Sequence, residues 1–101
     1  MASYELSPEA VEDLLRIQDF ISSDNPRAAD LVIDGLFFRL RAPGSRQRSG
    51  HSRPDLTSKQ VLFWPADSYL IVYRVREAGT PIQIVAVLHG ARDVPAIVDD
   101  R

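Results

Sequence analysis

Three runs rich in β-branched and aromatic residues, Gln60 to Trp64, Tyr69 to Arg76 and Pro81 to His89, are separated by only four residues each. Links this short join strands that pair antiparallel, so the second half of the chain is expected to form a meander. Pro65 with Ala66-Asp67-Ser68 makes the first turn, and Glu77-Ala78-Gly79-Thr80 the second. With 77–80 as the loop, Arg76 lies opposite Pro81 and Arg74 opposite Gln83. Strict alternation then assigns the faces. One face holds Arg74, Arg76, Gln83 and His89 around Leu70, Val72, Val85 and Val87. The other holds Tyr69, Ile71, Tyr73, Val75, Ile82, Ile84, Ala86 and Leu88, and carries no charge. The uncharged face is the one for helices to cover. The mixed, cationic face is where a ligand or partner is expected to sit.

The covering elements come earlier in the chain. Ser7-Pro8-Glu9 combines a side chain that accepts from a free backbone N–H, a proline suited to the first helical position and an acid at the positive helix end. Apolar residues then fall at Val11, Leu14, Leu15, Ile17 and Ile21, a helical stripe that ends near Ser22 to Asn25. Glu9, Glu12 and Asp13 read as a solvated surface of that helix. Asn25-Pro26 repeats the start signal, and Ala29, Val32, Ile33, Leu36, Phe37 and Leu40 give a second helix one broad buried face. Leu31 and Phe38 lie off this stripe, two turns apart, and fit either a second buried side or an exposed apolar strip. The short link makes the helices an antiparallel hairpin. Ser3 to Leu6 can add a short edge strand. Residues 42–59 form a basic loop with Arg46, Arg48, His51, Arg53 and Lys59, and 91–101 a short helix or tail. The sum is one α+β domain over residues 1–101, in the order β-α-α-β-β-β.

The composition narrows the chemistry. A chain of 101 residues has no cysteine and two histidines, which excludes disulfides and thiolate catalysis and argues against a structural zinc. Neither a metal nor another cofactor is expected: no glycine-rich phosphate loop, metal-spaced cluster or nucleophile elbow occurs. The stretches YLIVY and PIQIVAVLHG are strand-sized, and the N-terminus lacks signal-peptide features, so a soluble cytoplasmic protein with no membrane contact is expected. The net charge is −2, but residues 1–38 carry eight acidic and two basic side chains, whereas residues 39–76 carry eight basic and two acidic. Such a block is either a solvated loop or a patch for an anionic partner. Metal-free RNA cleavage is the enzyme chemistry these residues approach most closely, with His89 or His51 as base and Arg74, Arg76 or Arg92 as cations. Tyr73 as the acid points away from Arg74 by strand alternation, which leaves the set incomplete.

The order of elements, with LSPEAVEDL in the first helix, GHSRPDL in the basic loop, YLIVYRV in the central strand and VLHGARD after the last, resembles the RelE/ParE toxin superfamily of type II toxin–antitoxin systems. GHSRPDL favours the ParE branch. The resemblance implies a toxin held inactive by a cognate antitoxin, ParD-like with a DNA-binding part, in a hetero-oligomer. In the ParE branch the implied target is DNA gyrase, whose inhibition blocks replication without catalysis, with Arg53, Arg74, His89 and Arg92 as target-binding residues. In the RelE branch the implied activity is ribosome-dependent mRNA cleavage, for which Arg74, His89 and Arg92 are the candidate catalytic residues. No tyrosine or histidine in Val94 to Arg101 completes that set, and a pI near 5.6 suits ribosomal RNA poorly. For the antitoxin, Leu31 and Phe38 would meet an amphipathic helix, and Arg74 and Arg76 its acidic side chains.

Overall fold

The computed structural model describes residues 4–41, 50–66, 68–76, 81–90 and 93–101. Its elements are β1 (Tyr4–Leu6), α1 (Pro8–Ser22), α2 (Pro26–Arg41), β2 (Leu62–Ala66), β3 (Tyr69–Arg74), β4 (Ile82–His89) and α3 (Val94–Asp99). The expected α+β order β-α-α-β-β-β is present, followed by the short helix α3. Both helix starts work as the sequence suggests. The Ser7 hydroxyl accepts from the Ala10 N–H at 3.1 Å, and the Asn25 side-chain oxygen accepts from the Ala28 N–H at 3.1 Å.

The strands form one mixed sheet in the order β1-β4-β3-β2. β2, β3 and β4 are the antiparallel meander, while β1 adds parallel to β4 through Tyr4↔Ile82, Glu5↔Gln83 and Leu6↔Ile84. β2 runs on to Ala66 through Pro65, further than the turn signal implies. Proline is tolerated because β2 is the sheet's outer strand, where one row of donors has no ladder to supply. Outside β2, His51 makes one antiparallel bridge to Phe63, with N–H···O distances of 2.9 and 2.7 Å.

The last hairpin departs from strict alternation. Arg74 does lie opposite Gln83, and Tyr73 opposite Ile84, but Val72 pairs with Ala86. Val85 is the extra residue of a bulge, and beyond it every β4 side chain changes face. Val85 and Ala86 both join the cluster on the second face, with Val61, Phe63, Val72, Leu88, Val94 and Val98. Val87 instead joins the hairpin-side core of Ala10, Leu14, Leu36, Leu40, Ile71, Tyr73, Ile82 and Ile84. The face expected to be open and cationic is therefore largely a second core, roofed by α3 and the segment 56–61. The sheet is buried on both sides, which explains the nearly unbroken apolar run of β4.

The bulge lies where β1 ends and β4 continues without a strand beside it. Asp13, read in the sequence as a solvated residue, is 2 % exposed and closes this gap. Its Oδ2 accepts from the Val87 N–H at 3.0 Å, and its two oxygens accept from Arg101 Nη1 and Nη2 at 2.8 and 3.0 Å. Arg101 Nη1 also donates to the Val85 carbonyl at 3.0 Å. Amphipathic periodicity places Asp13 on a polar face but says nothing of a strand edge that needs an acceptor there. Breaking such a pair by removing one partner costs about 3–5 kcal/mol.

Two glycines make opposite predictions. A Cβ on Gly50 would lie 2.7 Å from Cε1 and Cζ of the buried Tyr73, so Gly50→Ala is expected to cost about 1–3 kcal/mol. A Cβ on Gly35, inside α2, would meet nothing within 4 Å, so Gly35→Ala is expected to stabilise by about 0.5–1 kcal/mol. Urea denaturation of both variants checks the pair; equal shifts would contradict it.

Candidate functional site

The structure places most of the residues singled out in the sequence. Arg74 is half-buried on the second face, in a row with Gln83 and Glu5 across three strands. Its Nε is buried without a hydrogen-bond partner among the described residues. Arg76 is exposed, pairs with Glu5 at 3.3 Å and donates to the Pro81 carbonyl. The polar end of the second face, beyond the roof of α3, is thus the Arg74–Gln83–Glu5–Arg76 group.

His89 is not part of it. The bulge turns His89 to the hairpin face, where its ring meets Tyr69 edge-on at a centroid distance of 5.5 Å. The expected grouping of His89 with Arg74 is corrected by this geometry. The two residues stand on opposite faces of the sheet, at opposite ends of β4's pairing with β3. Arg92 lies outside the described residues, as do Arg46 and Arg48.

GHSRPDL, residues 50–56, lies within the described residues. Arg53 opens a tight turn in which the N–H groups of Leu56 and Thr57 both donate to its carbonyl. Leu56 packs on the second core, and the buried Thr57 hydroxyl donates to Asp99 of α3 at 2.6 Å. The motif therefore ties α3 to the sheet. The Arg53 side chain itself is exposed and forms a two-pronged pair with Asp55, at 2.9 and 2.7 Å.

On the hairpin side, Leu31 is 68 % and Phe38 72 % exposed, which resolves the alternatives left by the sequence in favour of an outward apolar strip. Phe20, at the end of α1 and 80 % exposed, adds to the outward apolar surface and lies outside the stripe that periodicity picks out. Val11 and Leu15, expected in the buried stripe, are exposed as well. Two cavities flank the Tyr69–His89 pair. One of about 440 Å³ is walled by Asp13, Arg16, Ile17, Phe20 and Val87. The other, of about 350 Å³, is walled by Leu31, Val32, Gly35, Leu36 and Arg39. Burial holds the Tyr69 phenol above its ordinary pKa, so it stays protonated at neutral pH. The signal for this trough was hidden, because it depends on which way the bulge turns His89. No described helix is long and apolar enough to cross a membrane, and the described residues contain no metal-binding cluster.

Comparison with known proteins places this geometry. The family model for the ParE toxin of the type II toxin–antitoxin system parDE matches residues 4–94. Among solved structures, a chromosomal ParDE TA system from P. aeruginosa superposes with a TM-score of 0.70 at 19 % identity, covering 88 % of this chain and 96 % of that one. At that identity the likeness speaks to the fold. No curated protein matches the chain in sequence.

The Arg53–Asp55 pair gives a pH prediction. Hydrogen bonding to Arg53 holds the Asp55 carboxyl below its ordinary pKa. A lowered folded-state value means that the pair's contribution is present at neutral pH and fades as pH falls through that value. In Arg53→Ala, Asp55 is expected to titrate at higher pH, nearer the usual carboxylate range. Carboxyl NMR reads the midpoint; an unchanged value would contradict the pairing.

Proposed function

The chain belongs to the ParE toxin family of type II toxin–antitoxin systems, and from that premise we propose that it arrests growth by inhibiting DNA gyrase until a cognate antitoxin neutralises it. The observation that carries this reading over mRNA cleavage is the separation of Arg74 from His89 by the sheet. In-line attack by a 2′-hydroxyl needs a base and phosphate-binding cations around one phosphorus. His89 on the hairpin face and Arg74 on the opposite face cannot share one, and for His51, the other candidate base, the candidate acid Tyr73 is buried in the hairpin-side core. Binding and trapping a large enzyme needs no such convergence. Arg53 and Arg74, both on the side of the sheet away from the hairpin, are the described residues proposed to meet the target, and Arg92 is proposed with them from the sequence.

The antitoxin is proposed to use the other side. Leu31 and Phe38 offer the spacing of two anchors on an amphipathic partner helix, and the trough beside Leu31 offers space for its apolar side chains. Arg74 and Arg76, at the far end of the sheet, would receive acidic side chains only if the partner's chain wraps around to that face. His89, placed in the trough, moves in this reading from the target surface to the antitoxin surface.

Two measurements separate the surfaces. Purified protein is expected to inhibit supercoiling by gyrase, and Arg74→Ala to weaken that inhibition. Unchanged supercoiling at saturating protein, together with cut transcripts in arrested cells, would favour the nuclease instead. The double variant Leu31→Asp/Phe38→Asp is expected to lose at least about tenfold in antitoxin affinity, measured by calorimetry, while still inhibiting gyrase. Retained affinity would exclude α2 as the docking face.

A further inference from the structure

A carboxylate fixed at the end of a bulged strand edge does more than fill a gap. Asp13 is held by the Val87 N–H at 3.0 Å and by its place on α1 between the buried Ala10 and Leu14, and neither depends on Arg101. With the Val85 carbonyl it presents three oxygens, and one guanidinium meets all three, at 2.8, 3.0 and 3.0 Å. This arrangement suits a planar fork: Nη1 and Nη2 each donate to one carboxylate oxygen, and Nη1 donates also to the carbonyl. The surroundings favour a cation. Hydrogen bonds donated to Asp13 foremost, with the charges of Asp13, Glu9 and Glu12, hold Arg101 above its ordinary pKa against the effect of burial. Arg16, largely exposed, reaches Oδ1 only at 3.6 Å and in one contact. The site also has an approach from outside, since the 440 Å³ cavity of the hairpin face has Asp13 and Arg16 in its wall.

We propose that Asp13 and the Val85 carbonyl form an arginine-binding site, filled here by the chain's own Arg101 and able to accept an arginine side chain presented by another molecule. The ligand class is a monosubstituted guanidinium. A lysine fits less well, because an ammonium in the Nη1 position reaches Oδ2 and the carbonyl but has no second arm for Oδ1. Occupation from outside frees Arg101, and with it the segment that follows α3. The site opens on the trough assigned above to the antitoxin, but neither its geometry nor its test rests on that reading.

The test empties the site and refills it. Arg101→Met keeps much of the apolar stem and is expected to lower the melting temperature by at least about 10 °C. Agmatine, an arginine side chain without the amino-acid carboxylate, is expected to recover about half of that loss or more at millimolar concentration, saturably. Cadaverine, a diamine of equal charge, is expected to recover clearly less. The Val87 amide resonance should shift with agmatine and follow the same saturation curve. Arg101→Met combined with Asp13→Asn should respond to neither compound; if that pair fails to fold, the Val87 titration in Arg101→Lys supplies the same readout. Equal effects of agmatine and cadaverine, or recovery without movement of Val87, would overturn the proposal.

Discussion

A buried carboxylate at the edge of β4 holds together parts of the chain that lie far apart in sequence. β4 is eight residues long and β1 only three, so beyond Ile84 one row of β4's backbone groups has no strand to pair with. Buried backbone groups left unpaired are costly, and exposed ones invite aggregation. Asp13 accepts from the Val87 N–H, Arg101 donates to the Val85 carbonyl, and the Ser7 N–H extends the ladder onto the Ile84 carbonyl at 3.0 Å. Through these contacts the start of α1, the middle of β4 and the last residue of the sequence meet at one point. The bulge at Val85 is supported by the same set, since the groups it displaces from the ladder are those that Asp13 and Arg101 satisfy.

The bulge in turn decides what each face of the sheet can do. It turns Val85 and Ala86 together toward α3, so the second face gains a core of its own and needs a roof. The roof is tied down by Thr57 to Asp99 and by Arg101 to Asp13, which gives the RPDL turn a structural task beside any role of Arg53. It turns His89 the other way, to Tyr69 and the trough beneath the hairpin. The cationic end of the sheet and the aromatic trough become separate surfaces, as the proposed meeting with an antitoxin and a target requires.

Much of this was legible in the letters, and the exceptions share a cause. Ser7-Pro8 and Asn25-Pro26 place the helices because capping is local chemistry. The pairing of Arg74 with Gln83 follows from the length of the 77–80 link, again a local matter. Periodicity sets Leu31 and Phe38 off the core stripe but leaves open whether that side is covered, which only the packing decides. The failures begin at Val85. Nothing in QIVAVLH marks which residue is extra, so alternation carried past it assigns Val87, His89, Ala86 and Leu88 to the wrong faces. Asp13 was misread for a related reason: its partners come from β4 and from Arg101, 74 and 88 residues away in sequence. A polar residue on a helix looks solvated until the strand edge it serves is known.

Native-state hydrogen exchange at the Val87 amide tests the sealed edge most directly. If Asp13 closes β4, this amide exchanges only through global unfolding and ranks with the slowest of the β3–β4 ladder, and in Asp13→Ala it drops to the rates of an exposed edge. Exchange of Val87 at edge-strand rates in the unaltered chain would contradict the account.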